Sequence, residues 1–261
     1  MINLTGCISL NSKGKNPYRS KISVLVDIWT KIISYGDLAG ITRDEVRKIL
    51  YETYKARNIT PFKGKANPED LYDKELMSLY IVGKYGLGLD KQYPEIFDEV
   101  FYNERLYEKI IEIMLSNNDV DKVRSTILNL LGGKLNSNTT ARILRTLFTA
   151  IVLGFRKEEE LIELMHRFTK VFPEQEQTIR KYTRFYIAFR VAEAISKGLI
   201  RNKVAKEAYK QSLAIKIGFS KTIPDDNYIY SIAREVFHIP DKILRNVLNT
   251  GNKKQGHKAN I

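Results

Sequence analysis

The residues of this chain best suited to chemistry are lysines and arginines at helical spacing in its last third. Three lysines stand at i, i+3 and i+7: Lys203, Lys206 and Lys210. This spacing predicts that their ammonium groups project from one helical face, while Val204, Ala208 and Ile215 turn inward. Ammonium groups arranged in this way bind phosphates, and they supply affinity for a polyanion without reading its sequence.

A second basic group precedes these lysines. Arg180 and Arg184 form an i, i+4 pair on one predicted helix, with Lys181 beside them. Arg201 stands at the predicted N-terminus of the following helix, where the helix dipole disfavours a cation. A cation in that position gains more from an external phosphate than from its own helix, so Arg201 joins the predicted phosphate contacts.

A third basic feature lies in residues 232–247, whose layout resembles a helix-turn-helix. Ala233 falls early in the first helix, and a second helix follows a short connection. Phe237 departs from the pattern, because such motifs usually place a glycine in the turn. If this unit reads DNA, Lys242 and Arg245 on the second helix are expected to contact the duplex.

Recognisable catalytic and metal-binding constellations are missing from the sequence. The three histidines are His166, His238 and His257, and none stands at metal-ligand spacing with another or with Cys7. The glycines of residues 83–88 follow a predicted helix and not a strand, so they indicate a helix end and not a dinucleotide-binding loop. We therefore expect a protein that is not an enzyme and that holds no cofactor and no metal.

The net charge of the chain is unevenly distributed. The 261 residues contain 43 Lys and Arg and 30 Asp and Glu, for a net charge of +13. Residues 1–21 hold four bases and no acid, residues 22–176 hold 22 bases and 24 acids, and residues 177–261 hold 17 bases and six acids. This partition predicts a basic N-terminal arm, a neutral helical body, a basic helical part over 177–248 and a flexible basic tail over 249–261.

The two chain ends supply further candidate phosphate contacts. These are Lys13, Lys15, Arg19 and Lys21 in the arm, and Lys253, Lys254 and Lys258 in the tail. The asymmetry indicates a polyanion partner, for which nucleic acid fits best, and the alternative is a basic surface that only aids solubility. No basic amphipathic segment exposes Trp or Phe, so no membrane partner is expected.

The cysteine content and the apolar runs bear on the compartment. A single cysteine, Cys7, allows no intrachain disulfide, which is typical of a reducing compartment. The N-terminal residues lack the pattern of a signal peptide, and nowhere do 18 apolar residues follow one another. We expect a cytoplasmic protein.

Helical periodicity dominates the sequence, and strand-like alternation is almost absent. Local signals include a capping box formed by Thr42 and Glu45, and Asn67 as the N-cap of a helix that opens with Pro68. The longest candidate, residues 173–197, carries an aromatic stripe that could stack bases, although core packing is the expectation. The fold class is therefore all-α, a multi-helix bundle or solenoid-like array of about ten or more helices, in one domain or two closely packed lobes.

One block of the sequence resembles a known family. Residues 67–90, NPEDLYDKELMSLYIVGKYGLGLD, together with ITPFKGKA just before them, are similar to a family of archaeal, mainly crenarchaeal, proteins that is described only as a domain of unknown function. The resemblance implies a thermophilic archaeal cytoplasm. It implies no activity and no functional residue.

Three functions remain open from the sequence. The leading one is a non-enzymatic RNA-binding protein, a ribosome-associated component or factor whose partners are ribosomal RNA and ribosomal proteins. The second is a DNA-binding regulator or chromatin protein that uses the helix-turn-helix-like segment. The third is a helical adaptor whose partner is a protein and whose basic surface is incidental.

Overall fold

The structure, a computed structural model, describes residues 17–35, 40–57, 68–219 and 221–248. Within these residues it contains twelve α-helices and no strand. The predicted all-α class is confirmed. The chain divides into two compact units, Met1–Ile179 and Arg180–Ile261.

The first unit contains eight helices and the start of a ninth. They are α1 (Pro17–Ile33), α2 (Arg43–Ala56), α3 (Pro68–Ile81), α4 (Pro94–Glu99), α5 (Tyr102–Ser116), α6 (Val120–Leu130), α7 (Ser137–Val152), α8 (Glu158–Val171) and α9 (Glu176–Ser196). Helices α5, α7 and α8 pack against one another, and α1 packs against α2.

The second unit begins at Arg180, after the first turn of α9. After α9 come α10 (Lys203–Ile217), α11 (Asp226–Glu235) and α12 (Asp241–Val247). Helix α12 packs against both α10 and α11. The change from neutral to basic sequence, after Glu176, lies within one helical turn of the division between the units.

Local sequence signals explain where several helices start. The capping box before α2 is confirmed: the Glu45 amide donates to Thr42 Oγ1 at 3.3 Å, and the Thr42 amide donates to Glu45 Oε2 at 2.7 Å. Helix α3 opens with Pro68, which needs no hydrogen-bond partner for its nitrogen in the first turn. The predicted N-cap, Asn67, lies outside the described residues.

A cluster of four aromatic rings lies in the core of the first unit. The Trp29 ring stacks on Phe97 at 5.5 Å between centroids, and Phe101 lies 5.5 Å from both rings. Tyr80 completes the cluster, 5.6 Å from Phe97. The Trp29 indole nitrogen is also satisfied, because it donates to the Leu79 carbonyl at 2.8 Å. This arrangement ties α1 to α3 and α4.

The end of α3 differs from the simple glycine stop that the sequence predicts. The chain passes into a π-helical turn, Val82–Gly86, before Gly88 takes a left-handed conformation with φ of 64°. A Cβ atom on Gly83 would lie 2.3 Å from Trp29 Cζ2. Gly83 is therefore required by the close approach of the turn to the indole.

Glu108, a buried carboxylate of the first unit, accepts a tyrosine hydroxyl. Tyr80 donates to Glu108 at 2.5 Å, and Lys84 donates to the same oxygen at 2.6 Å. Burial raises the pKa of Tyr80, and the negative charge of Glu108 raises it further. The phenol therefore stays protonated and acts as a donor that keeps a buried charge satisfied.

The aromatic stripe of α9 is part of the core. Tyr182, Tyr186 and Phe189 are buried, and Phe185 is half-buried. Core packing, the expectation for this stripe, is confirmed.

Candidate nucleic-acid interface

The basic residues at the start of α9 take two different roles. Lys181 and Arg184 are exposed, whereas Arg180 is half-buried. The Arg180 guanidinium lies 5.7 Å from the centre of the Phe219 ring and donates to Thr222 Oγ1 at 3.5 Å. Arg180 therefore anchors the segment between α10 and α11, and Lys181 and Arg184 remain available for an external anion.

Lys221 is a surface base that we did not expect from the sequence. It is exposed, and it precedes Thr222, whose hydroxyl contacts Arg180. The anchoring by Arg180 therefore brings the backbone of Lys221 close to the basic start of α9. A lone lysine between helices has no periodicity, so only the contact between Arg180 and Thr222 identifies it.

The predicted orientation of α10 is wrong. Lys206 is 1% exposed and Lys210 is 5% exposed, so both lysines point into the unit. The residues expected inside lie on the surface: Val204 is 80% exposed, Ile215 is 71% exposed, and Ala208 is exposed. Lys206 and Lys210 therefore do not project toward an external phosphate as the sequence predicted.

The counter-charge for the two buried lysines comes from α11 and from α10 itself. Lys206 Nζ lies 2.5 Å from Asp226 Oδ2 and 3.0 Å from Glu207 Oε1. Lys210 Nζ lies 3.4 Å from Asp226 Oδ1 and 3.3 Å from Glu207 Oε1. Burial by itself raises the pKa of the Asp226 carboxyl, but the hydrogen bonds and charges of the two lysines outweigh burial and hold that pKa below its ordinary value.

Arg201 and Lys203 are exposed, but Arg201 does not begin α10. Asn202 is the N-cap, and its side chain accepts a hydrogen bond from the Ala205 amide at 2.9 Å. The Arg201 Nε instead donates to the Gly198 carbonyl at 3.0 Å, just after the end of α9. The dipole argument for Arg201 is therefore wrong, since the cation lies beside the carboxyl end of α9, where a positive charge is favourable.

The helix-turn-helix-like segment forms two helices joined by residues 236–240. The left-handed residue of the connection is His238, with φ of 52°, and not Phe237. Phe237 instead packs on Phe189, with 5.2 Å between ring centres. Ala233 is fully buried and its carbonyl accepts the Ile239 amide at 3.1 Å, which closes the corner.

Helix α12 presents a mixed surface to solvent. Lys242, Arg245 and Asn246 are exposed, and Ile243 is 46% exposed. Leu244 and Val247 are buried on the opposite side. The two basic residues proposed for this helix thus lie on its accessible face.

Ion pairs within the second unit occupy half of its acids. Residues 180–248 contain 14 bases and six acids. Three acids, Glu193, Glu207 and Asp226, form ion pairs with Arg190, Lys197, Lys206 and Lys210. The bases in these pairs include both buried lysines of α10.

The other three acids accept hydrogen bonds from neutral donors. Asp225 accepts the Tyr228 amide at 2.8 Å, Glu235 accepts the Ser231 hydroxyl at 3.0 Å, and Asp241 accepts the Tyr230 hydroxyl at 2.8 Å. Several surface bases form no ion pair with any residue that the structure describes: Lys181, Arg184, Lys203, Lys221, Lys242 and Arg245. Their charges are left for solvent or a ligand.

At the N-terminal end, the expected arm is partly helix. Helix α1 begins at Pro17, and Lys21 on it lies 3.1 Å from the buried Glu75 Oε1. Tyr54 donates to the other oxygen of Glu75 at 2.5 Å. Lys21 therefore neutralises a carboxylate of the core and is not on a free arm.

The remaining candidate bases of the chain ends have no described side chain. Arg19 lies on α1, but its side chain is not described. The others lie outside the described residues: Lys13, Lys15, Lys253, Lys254 and Lys258.

Two kinds of feature are absent from the described part of the chain. There, no three His, Cys, Asp or Glu side chains gather in a way that could hold a metal ion. None of the described helices combines the length and the apolar character needed to cross a bilayer.

Comparison with known proteins identifies a family. No curated protein and no solved structure matches the chain. A family model described as an uncharacterized protein conserved in archaea (DUF2192) matches residues 15–248, which is most of the chain. This agrees with the resemblance found in residues 67–90, and the chain belongs to this archaeal family.

Proposed function

We propose that the protein is a non-enzymatic RNA-binding protein whose second unit contacts RNA phosphates. The observation that supports this proposal concerns the partners of the acidic side chains in residues 180–248. All six acids there are engaged within the unit, and they leave a set of exposed bases without an ion-pair partner among the described residues. A surface of this kind attracts a polyanion from a distance and binds it through its backbone.

Five of the six surface bases form two groups on different elements, and the sixth, Lys203, lies on α10. The first group is Lys181 and Arg184 on α9 with the nearby Lys221, and the second is Lys242 and Arg245 on α12. If each of the five neutralises one phosphate, the slope of log K against log salt is between about −3.5 for single strands and about −4.5 for duplexes. A slope of this size means that the affinity falls steeply as salt is added.

RNA is the proposed polyanion because of the chain ends as well as the second unit. Residues 249–261 combine lysines with glycines and asparagines, a composition that carries charge with little bulk and suits structured RNA. The neutral sequence of residues 22–176 would then serve as a scaffold or protein-facing part. Association with the ribosome, through ribosomal RNA and ribosomal proteins, is the setting we propose.

One observation favours duplex DNA as the second candidate. The corner between α11 and α12 leaves Lys242, Arg245 and Asn246 exposed on the second helix. These are residue types that contact bases and phosphates in the major groove. The alternative therefore predicts that DNA binding depends on α12, whereas the RNA proposal uses both basic groups.

Two double variants and a control separate these readings. Lys181→Ala with Arg184→Ala removes the α9 group, and Lys242→Ala with Arg245→Ala removes the α12 group. The control, Lys109→Ala with Lys122→Ala, removes the same charge from exposed positions of α5 and α6 in the first unit. All six side chains are exposed, so each variant is expected to keep its fold.

Binding is measured by fluorescence anisotropy with an RNA hairpin and a DNA duplex of matching sequence over a range of salt. Each of the first two variants should bind the hairpin more weakly and lower the magnitude of the salt slope by about 1.4 to 1.8, and the control should match the parent. Equal losses in all three variants would overturn the proposal. Loss of duplex binding only in the α12 variant, with hairpin binding intact, would favour the DNA-binding alternative.

The ribosomal setting has its own test. A native lysate is sedimented through sucrose at low and at high salt, with and without nuclease. The protein should move with ribosomal fractions at low salt and leave them at high salt, because its contacts are ionic. Absence from those fractions at low salt would overturn the ribosomal setting. A protein partner that survives nuclease treatment would instead support the adaptor reading.

A further inference from the structure

Phe185 is the most accessible ring of the aromatic stripe on α9. Tyr182, Tyr186 and Phe189 are buried, whereas Phe185 is half-buried. The centre of the Phe185 ring lies 5.7 Å from that of Tyr182 and 6.3 Å from that of Phe189. Two buried rings therefore hold Phe185 in place, and part of its surface faces solvent.

Exposed bases lie next to this ring. Lys181 stands one turn before Phe185 and about 40° from it around the axis of α9, and Arg184 lies about 60° beyond Lys181. Helical side chains lean toward the N-terminus, so the Phe185 ring leans over the turn that carries Lys181. Both bases are exposed, and neither forms an ion pair with any residue that the structure describes. The accessible part of Phe185 thus borders the α9 basic group.

The acids of α9 lie away from this group. Glu176 is on the opposite side of the helix from Phe185, nine residues earlier. Glu193 forms ion pairs with Arg190 and Lys197 at 2.7 Å. On this face of α9 the ring is therefore accompanied by positive charge and by no carboxylate of the same helix.

A ring beside two cations matches the two parts of a nucleotide. A half-buried phenylalanine alone is ordinary on a protein surface, but a base stacks on such a ring when cations beside it hold the phosphates. Bases within a duplex are stacked on their neighbours, whereas bases in loops, bulges and single strands can turn out and stack on an aromatic side chain. The combination therefore selects unpaired nucleotides.

We propose that the second unit holds an unpaired RNA nucleotide at the start of α9, with its base stacked on Phe185 and the flanking phosphates paired with Lys181 and Arg184. This inference rests on the proposed RNA binding and adds the class of RNA, which is a loop or a single strand and not a continuous duplex. The phenyl ring offers no hydrogen bond to a base edge, so the stacking tolerates any of the four bases.

Three labelled probes separate stacking from charge: a short adenylate RNA strand, an abasic ribose-phosphate strand of the same length, and an RNA duplex with blunt ends. Each is titrated with the full chain at fixed salt, and binding is followed by anisotropy. The adenylate strand should bind about tenfold more tightly than the abasic strand, which carries the same phosphates. Equal binding of these two strands overturns the stacking inference and leaves the phosphate contacts standing. No binding of any probe overturns the proposed function, and the inference with it.

Phe185→Leu removes the aromatic ring and keeps an apolar side chain against Tyr182 and Phe189. It should bind the adenylate strand about tenfold more weakly than the parent, and the abasic strand and the duplex as tightly as the parent. The matched control is Phe155→Leu, at a half-buried phenylalanine that stacks on Tyr85 in the first unit, and it should bind all three probes as the parent does. Circular dichroism checks that both variants remain helical. A folded Phe185→Leu protein that keeps the adenylate strand, or that loses the abasic strand equally, overturns the inference.

A tryptophan at the same position reports the contact directly. Phe185→Trp keeps an aromatic face, so it should bind the adenylate strand as the parent does, and that strand should quench its emission while the abasic strand should not. Phe155→Trp is the control and should show no quenching with either strand. Unchanged emission of Phe185→Trp with the adenylate strand bound overturns the inference. Lys181→Ala with Arg184→Ala should weaken binding of the adenylate and abasic strands alike, because these two bases contact phosphates only.

Discussion

Replacement of Gly83 by alanine tests how closely the π-helical turn approaches Trp29. The added methyl group would lie 2.3 Å from Trp29 Cζ2 and 2.6 Å from Cε2, far inside van der Waals contact. Trp29 is fully buried, stacks on Phe97, packs on Phe101 and donates a hydrogen bond to Leu79. The indole therefore cannot move away without losing several contacts at once.

The expected cost is at the upper end for overpacking, about 3 kcal/mol. Alanine is favoured over glycine within a helix by about 1 kcal/mol, so a net loss of stability shows that the steric term dominates. For a unit of this size, a loss of that magnitude lowers the melting temperature by roughly 6 to 12 °C.

The assay uses the fluorescence of Trp29, the only tryptophan in the chain, during thermal and urea unfolding. Gly86→Ala is the matched control in the same turn. Its Cβ would meet Phe155 Cζ at 3.0 Å, and the Phe155 ring is only partly buried and can shift. We expect Gly86→Ala to stay within about 1 kcal/mol of the parent. A Gly83→Ala protein as stable as the parent, with unchanged emission, would refute the close-approach argument.

Three further predictions concern buried charge. Asp226→Asn leaves Lys206 and Lys210 with Glu207 as their counter-charge and should destabilise the second unit by about 3 kcal/mol. Urea unfolding followed by circular dichroism measures this loss. The control, Glu235→Gln, changes an exposed acid and should have little effect. The pKa of Asp226 in the folded state is below its unfolded value. Its contribution to the free energy of unfolding is therefore fully present above about pH 4 and is lost as the pH falls through the folded pKa. The loss of stability on acidification should accordingly be smaller in Asp226→Asn. Tyr80→Phe removes one donor to the buried Glu108 but leaves Lys84, and should cost about 1 to 2 kcal/mol by Trp29 fluorescence; no measurable cost would contradict the role of that hydroxyl.

The features that the sequence predicted well are local ones. The capping box of Thr42 and Glu45 depends on residues three positions apart, and the opening of α3 depends on Pro68 itself. The all-α class follows from periodicity that repeats in every segment. Such features can be predicted from the sequence because the groups that interact are close together in the chain.

The orientation of α10 could not be predicted, for a physical reason. Periodicity shows that lysines share one face and aliphatic residues share another, but it does not show which face is buried. The lysine face is buried because Asp226, twenty residues after Lys206, accepts hydrogen bonds from both inner lysines. A contact of that range leaves no trace in local spacing, and hydrophobicity alone gives the wrong answer.

Two other features escaped the sequence argument because they depend on close packing. The π-helical turn after Ile81 is visible only through the approach of Gly83 to Trp29, more than fifty residues earlier. Lys221 joins the candidate interface only through the contact between Arg180 and Thr222. In both cases the sequence shows the residue but not its neighbour.

The excess of bases over acids in the second unit has opposite effects on the stability of its fold and on the proposed binding of a polyanion. Residues 180–248 contain 14 bases and six acids, so the surface bases repel one another in the folded state at low ionic strength. Added salt screens that repulsion and stabilises the unit, while it weakens the attraction of the same bases for phosphate. If the proposed polyanion binds, it relieves the same repulsion that salt screens. The stabilisation of the second unit by that ligand is then expected to be largest at low salt, where the proposed binding is also tightest.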